Sequence, residues 1–519
     1  MKVTLCILSA CVLFILPASG QEGVPPHLDD YVEKVRSAFE VPGIGLAIVK
    51  DGNVVIARGY GVRRLGDPGR VDAGTLFGIA SNSKAFTASA IGMLVEEGKL
   101  EWDAPVIRYL PWFRLSDPYV TQEMTVRDLL VHRSGLGLGA GDLLWWPAST
   151  YNRREIARRI AAIPLATSFR SRYAYDNVLY IVAGELIEAV SGLSWEEFIS
   201  RRILAPLGMK NTTVRHSAAG SGENSATPHA RVEGVVRPVA AFTSDNTNPA
   251  GGINSSAAEM AKWLIVQLDS GRVPGGERLF TQATTRQLWS LVTPMPVDDP
   301  PPWLGALRWN FNGYGLGFRL HDYRGLKIVQ HTGGLPGYVS EVTMVPELRL
   351  GIVVLTNQES GDAFRSISLH ILDYYLGGPA TDWLGAFRRL GALRDSAIAH
   401  ADTRTAGQRD SARGPSLPLE RYAGRYTDPW YGGVDILYAN GALRIRFTRT
   451  PSLEGELLHW QYDTFVARWT DRELRADAFV TFALNPDGSV DRVTMKACSP
   501  ATDFSFDFQD LRLVPTGAP

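Results

Sequence analysis

The chain is short of cysteine, of net charge and of long apolar spans, and each shortage removes a class of protein. Only Cys6, Cys11 and Cys498 occur in 519 residues, too few for a disulfide-stapled scaffold. Lys plus Arg number 53 against 54 Asp plus Glu, a formal net charge of -1. That balance supplies neither the basic stripe of a nucleic-acid binder nor a pull toward an anionic membrane. The pentapeptide G-x-S-x-G is missing, which excludes an α/β-hydrolase nucleophile elbow, and no His pair has H-E-x-x-H spacing. With the nine histidines scattered, no metal site is expected.

The apolar run Val3–Leu16 falls short of the ~18–20 residues that cross a bilayer, and Ile181–Val190 is interrupted by Glu185 and Glu188. No transmembrane helix is expected in the mature chain. Met1-Lys2, that apolar run and Pro17-Ala18-Ser19-Gly20 together have the grammar of a cleaved signal peptide over residues 1–20. The expected destination is therefore periplasmic or extracellular. Leu8-Ser9-Ala10-Cys11 offers the alternative of a lipoprotein box, although cleavage there leaves a very short apolar region before the cysteine. Loss of the leader leaves Cys498 alone, without an internal partner, late in a strand-rich region and with no neighbouring histidine. It reads as a small packed residue.

What is present is a soluble globular composition, 45% apolar and 21% charged, in a chain long enough for more than one domain. Gly43–Lys50 and Asn53–Ala57 read as strands around an Asp51-Gly52 turn. Lys327–His331, Glu341–Val345 and Leu350–Leu355 read as late strands of the same sheet. Helical periods lie between them, over Ala85–Glu97, Val126–Val131, Val178–Val190, Trp195–Ile203 and Ala257–Leu268. From Trp383 a helix and linker lead to Gly414-Pro415. Beyond it come short alternating runs such as Ala442–Phe447 and Asp503–Phe508, with turn signals at Asn440-Gly441 and Asp487-Gly488. The expected domains are 24–380, a helical linker 381–415, and an all-β barrel over 416–517.

Three short motifs carry chemistry. Ser81-Asn82-Ser83-Lys84 opens the helical stretch from Ala85, so Ser81 Oγ and Lys84 Nζ share a face one turn apart, beside the unpaired N–H groups of a helix start. A lysine desolvated enough to lose its proton can activate such a serine. Tyr175-Asp176-Asn177 precedes the helix at Val178; a phenol lowered by a nearby ammonium could exchange the serine proton, and the amide could hold a substrate carbonyl. His331-Thr332-Gly333-Gly334 is read as ending a strand, its glycines letting a substrate lie against the backbone.

In the order S-x-x-K, Y-x-N, H-T-G, these motifs make the chain resemble the penicillin-recognising serine hydrolases, in their class C β-lactamase-like branch. The likeness covers roughly residues 30 to 375. It takes in Thr125–Leu136, Pro206–Met209, Pro249–Gly252 with Ser255-Ser256, and Gly313–Gly317. It implies an α/β (α+β) fold of β-lactamase/DD-peptidase type, an antiparallel sheet with a helical domain. The tail resembles the lipocalin-like β-domain of some relatives. The resemblance further implies that Ser81 is acylated, that Lys84 and Tyr175 exchange its proton, and that Asn177, His331, Thr332 and Gly333 bind substrate. Backbone N–H groups of Ser81 and Gly334 would form the oxyanion hole. No cofactor is implied, and the partner would be a small-molecule or peptide substrate: a D-amino-acid peptide, an ester or a β-lactam. Relatives that turn over β-lactams usually carry Lys where this chain has His331, and a mostly neutral histidine favours peptide, ester or amide substrates. The alternative function is a non-hydrolytic or very slow penicillin-binding sensor or peptidoglycan-binding protein, which would have little need of Lys84 and Tyr175.

Overall fold

The computed structural model describes residues 23–220 and 222–517; the expected leader at 1–20, with Cys6 and Cys11, lies outside them. Strands β1 (Gly43–Lys50) and β2 (Asn53–Gly61) form the first hairpin. At their turn Asp51 and Gly52 have φ of 51° and 79°, the paired left-handed conformations that a two-residue hairpin needs. The remaining strands of this sheet come late in the domain: β3 (Thr293–Pro294), β4 (Asn312–Tyr314), β5 (Arg319–Tyr323), β6 (Leu326–Leu335), β7 (Tyr338–Val345) and β8 (Leu350–Thr356). The order is β2-β1-β8-β7-β6-β5-β4-β3 with antiparallel neighbours, so early and late strands do share one sheet.

The sheet is covered on both faces, which explains why its central strands are apolar throughout instead of alternating. Ile44, Leu46 and Ile48 of β1 pack with α1 (Leu28–Ala38), while Ala47 and Val49 pack on the opposite side with the helical region. There α2 (Ser83–Glu96) is buried from Ser83 to Leu94, as suits a helix whose residues are small or apolar all round. Its neighbour α3 (Val178–Ser191) is equally sunk, and α4 (Ala257–Leu268) lies against β1 and β8. On the other face α5 (Gly361–Tyr375) packs against α1 and against α6 (Trp383–Gly407). Among the described residues no single helix is long and apolar enough to cross a membrane.

Three expectations change here. Val126–Val131 holds only a 3-10 turn, Asp128–Leu130, because the Asp128 carboxylate turns back to accept the Thr125 hydroxyl (2.7 Å) and is held by Arg133 and Arg170. The helix at Trp195 stops at Ile199 and widens into a π-turn, Ser200–Leu204, next to Pro206, which has no N–H to donate. The His331 motif does not end its strand: β6 continues through it, because β7 extends the ladder with Gly333 opposite Ser340 and Leu335 opposite Tyr338. Tertiary pairing overrides the low strand propensity of the glycines.

After α6 the chain builds an eight-stranded antiparallel barrel from β9 (Gly424–Asp428), β10 (Gly432–Ala439), β11 (Ala442–Phe447), β12 (Glu454–Gln461), β13 (Thr464–Trp469), β14 (Ala478–Leu484), β15 (Val490–Ala497) and β16 (Val514–Gly517). The order is β15-β14-β13-β12-β11-β10-β9-β16, and a bridge between Val493 and Leu513 brings the two ends together, nearly closing it. Leu443, Ile445 and Phe447 of β11 point inward, one face of a period-2 pattern. Cys498 is a free, partly buried thiol that burial pushes up to about 12. The alternating run Asp503–Phe508 is not a strand: the Asp503 carboxylate accepts the Ser505 N–H (2.9 Å) and turns the chain, so that a loop leaves the barrel toward the first domain.

Candidate active site

Ser81 is delivered by a change of direction in the backbone. The short strand Phe77–Gly78 pairs with Asn254–Ser255, Ile79 donates its N–H to Ile253 (3.0 Å), and Ala80 adopts a left-handed φ of 49°. A non-glycine residue in that region is uncommon and is held there by its surroundings. The turn places Ser81 in a 3-10 segment, Ala80–Asn82, directly before α2, with Lys84 in the first helical turn.

Lys84 is 0% exposed. Its Nζ lies 3.0 Å from Ser81 Oγ, 2.8 Å from Asn177 Oδ1 and 3.0 Å from the Ala250 carbonyl, near the rings of Tyr175 and Tyr180 (4.9 and 5.2 Å). Burial pulls its pKa down to about 7 against the opposing charges of Asp142 and Asp176. Near neutrality much of it is therefore an uncharged amine with two hydrogens and one lone pair. Asn177 Oδ1 and the Ala250 carbonyl are acceptors only, so they take the two hydrogens and leave the lone pair facing the Ser81 hydroxyl. That is the arrangement of a general base and its nucleophile.

Tyr175 departs from expectation. Burial pushes its phenol well above the ordinary value, and the hydrogen bond with Ser81 offsets this only in part. Burial dominates, so at neutral pH Tyr175 carries its proton and suits the role of donor rather than base. Asn177 is held at both ends: Nδ2 donates to Asp142 (2.9 Å), which fixes the amide orientation with its oxygen toward Lys84. Asp142 also accepts from Trp145 (2.8 Å) and Ser505 (2.9 Å), and burial raises it to about 7.

His331 lies buried on β6, with Nε2 2.7 Å from the Tyr314 hydroxyl and Nδ1 2.6 Å from the Thr332 carbonyl. Burial, reinforced by Lys84, lowers it to about 3, so it carries no charge near neutral pH. On β6 the ladder to β5 spans Leu326–Gln330, whereas the ladder to β7 runs on to Leu335. The edge at His331–Gly334 therefore faces the cleft, in the manner of a strand that can add a peptide. The two glycines differ. A side chain at Gly333 would meet the Ile79 carbonyl at 2.2 Å, so its glycine serves close packing against the Ser81 turn, while Gly334 has open space. Both Ser81 and Gly334 line a cavity of about 940 Å³, together with Trp145, Tyr173, Tyr175 and Thr332.

Ser81, Tyr175, Asn177, His331, Thr332 and Gly334 thus line one cleft, with Lys84 buried beside Ser81, while Gly333, expected to bind substrate, is packed against the Ser81 turn instead. Asp142, Tyr314 and Ser505 were missed. Tyr314 sits inside the phrase Gly313–Gly317 already noted, where it could have been found; Asp142 and Ser505 have no local signature, and the alternation of Asp503–Phe508 masked the second. Among the described residues no three His, Cys, Asp or Glu side chains group as ligands for a metal ion.

A family model described as Beta-lactamase matches residues 28–375, and one described as a domain of unknown function, DUF3471, matches residues 408–515. Unguisins hydrolase ungD of Aspergillus violaceofuscus is 29% identical over 459 residues, 81% of this chain and 78% of that protein. Penicillin-binding protein 4 of Amycolatopsis lactamdurans is 26% identical over 352 residues, 64% of this chain and 84% of its own length. In fold, the octameric penicillin-binding protein homologue from Pyrococcus abyssi superposes with a TM-score of 0.58 at 22% identity, covering 94% of this chain and 99% of that one. The D-amino acid amidase from Ochrobactrum anthropi SV3 superposes with a TM-score of 0.55 at 23% identity, covering 67% and 98%.

Proposed function

This chain belongs to the Beta-lactamase family, whose relatives are serine hydrolases, and from that premise we propose that it cleaves amide or ester bonds through an acyl-enzyme on Ser81. The observation that carries the reading is the 3.0 Å contact between Ser81 Oγ and a fully buried Lys84 with a pKa near 7. Neutral Lys84 takes the hydroxyl proton as Ser81 Oγ attacks the substrate carbonyl. The oxyanion is received by the N–H groups of Ser81 and Gly334. Tyr175 passes its proton to the leaving nitrogen or oxygen and is reprotonated from the Lys84 ammonium. Water then attacks the acyl ester with its proton passing to Lys84; Ser81 Oγ leaves with a proton from Tyr175, which the Lys84 ammonium replaces, so that the starting enzyme is restored.

The substrate class follows from His331 and the cleft wall. A neutral imidazole offers no charge to the carboxylate of a β-lactam, and an open strand edge suits a peptide-like backbone. D-amino-acid peptides, amides and simple esters fit these features better than efficient β-lactam turnover. A relative named as a hydrolase of unguisins and folds described as D-amino acid amidases are in keeping with that class. Export belongs to the same reading, on the strength of the leader at residues 1–20.

The test is intact-mass spectrometry of the mature protein over time with a penicillin, and with p-nitrophenyl acetate, beside Ser81→Ala. An adduct that forms and decays on the wild type alone is the expected result with the ester. A penicillin adduct that persists would move the protein to the sensor class, and an adduct on Ser81→Ala would remove Ser81 as nucleophile.

A further inference from the structure

Nothing in the chemistry above uses the C-terminal domain, but its loop at residues 503–507 enters the cleft. Asp503, Phe504 and Ser505 line the same cavity as Ser81. The Phe504 ring stands edge-on to Tyr175, with centroids 6.1 Å apart at 87°, and its backbone lies against Gly139. Ser505 is buried, and its hydroxyl donates to Asp142 Oδ2 (2.9 Å). The Asp507 carboxylate accepts the N–H groups of Gly141 (2.7 Å) and Leu143 (3.1 Å), clasping the chain on either side of Asp142.

Asp142 is where this loop meets the catalytic groups. The same Oδ2 that accepts from Ser505 accepts from Asn177 Nδ2 (2.9 Å), and Asn177 Oδ1 in turn accepts from Lys84 (2.8 Å). When ionised, Asp142 accepts only, so its position then decides which end of the Asn177 amide faces Lys84. Were Asp142 to swing away, the amide could turn and present its NH₂ group to Lys84. The amine would then lose an acceptor for one hydrogen, and its lone pair would no longer be directed at Ser81.

We propose that the loop Asp503–Asp507 completes the active site: Ser505 and Asp507 are positioning residues that hold Asp142 against Asn177 and so aim Lys84, and Phe504 forms the cleft wall beside Tyr175. The proposal assigns a working role to the C-terminal domain and rests on the hydrolase reading given above. It accounts for Ser505 and Asp507 being buried polar groups whose hydrogen bonds cross from one domain to the other, where apolar side chains would pack at lower desolvation cost.

The test is the rate of Ser81 labelling by a fluorophosphonate probe, followed by intact mass between pH 5 and 9, on the full chain and on Ser505→Ala, Ser505→Thr and Asp507→Ala. The charged or titratable groups around Lys84 are Asp142, Asp176, Tyr175, Tyr180, His132, His216 and His331. The Ser505 hydrogen bond favours ionised Asp142; without it Asp142 is neutral more often, and the Lys84 ammonium loses part of its opposing charge. Ser505→Ala is therefore expected to label about tenfold more slowly at its plateau, the scale of losing a hydrogen bond to a buried charged group. Its acid limb should also move to lower pH, while Ser505→Thr keeps the wild-type profile. Asp507→Ala should slow labelling as well, with thermal unfolding run alongside to score folding. A Ser505→Ala protein with wild-type rate and limb would overturn the proposal, as would equal impairment of Ser505→Ala and Ser505→Thr, the mark of a packing contact. Absence of labelling on the wild type would instead overturn the hydrolase reading, and the proposal with it.

Discussion

A lysine that works as a base at neutral pH has to be prevented from holding its proton, and Lys84 achieves this by burial alone. Its neighbours Asp142 and Asp176 act in the opposite sense and keep the shift moderate, at about 7 rather than lower. If Lys84 is the base, as proposed above, its neutral form is the active one, and kcat/KM for an ester should rise as pH increases through about 7 and level above it. A profile already flat at pH 5.5 would show that Lys84 is not the base. Tyr175 should not set the acid limb, since burial keeps its phenol protonated far above that range. The S-x-x-K spacing made Ser81 and Lys84 legible in the sequence. The protonation of Tyr175 was not, because desolvation depends on what packs around the ring and no local motif encodes that.

At the scale of elements, the site depends on β6 lying hard against the turn that carries Ser81. Two adjacent glycines of β6 have opposite surroundings, one tightly packed and one open. Gly333→Ala puts a methyl group 2.2 Å from the Ile79 carbonyl and should cost about 1–3 kcal/mol, the usual scale of overpacking. Activity should be lost with it as the Ser81 turn is displaced. Gly334→Ala meets nothing within 4 Å, so denaturant unfolding should place it within about 0.5 kcal/mol of wild type. Its methyl group nevertheless projects into the cleft, and kcat/KM should fall at least about tenfold from the misplaced substrate carbonyl. Equal stability losses in the two variants would contradict the arrangement. The strand itself was visible as a β-rich run, but its extension through two glycines came from pairing with β7, a partner that lies in another segment of the chain.

For the molecule as a whole, the two domains share more than a connecting helix. The Tyr151 hydroxyl donates to the Tyr431 carbonyl, Arg159 donates to the Trp430 carbonyl (2.9 Å), and Asp507 caps Gly141 and Leu143. Buried apolar residues run without a break from the helical region into the barrel. Calorimetry of the full chain should therefore give one cooperative transition, with calorimetric and van't Hoff enthalpies equal; two separated endotherms would mean that the domains stand independently. The ion pair of Arg475 with Glu359 also crosses the interface, at 2.6 and 2.7 Å. It is partly exposed, and Arg475→Gln should change stability by no more than about 1 kcal/mol.

By itself the sequence determined the chemistry that local spacing can encode. A serine and a lysine one helical turn apart, a Tyr-x-Asn before an apolar helix, a His-Thr-Gly in a β-rich run and a change of composition before the barrel are all short-range patterns. Side-chain periodicity also settled which helices and strands exist where one face is consistently apolar, as in α4 and β11. Only the tertiary structure decided what those groups are in charge and direction. Burial set Lys84 near neutrality and kept Tyr175 protonated, and long-range pairing carried β6 through its glycines. A loop more than 350 residues beyond Asp142 brought Ser505 to it. The reason is common to all of them: desolvation, ladder pairing and contact between distant segments are properties of the packed chain, and no window of neighbouring residues contains them.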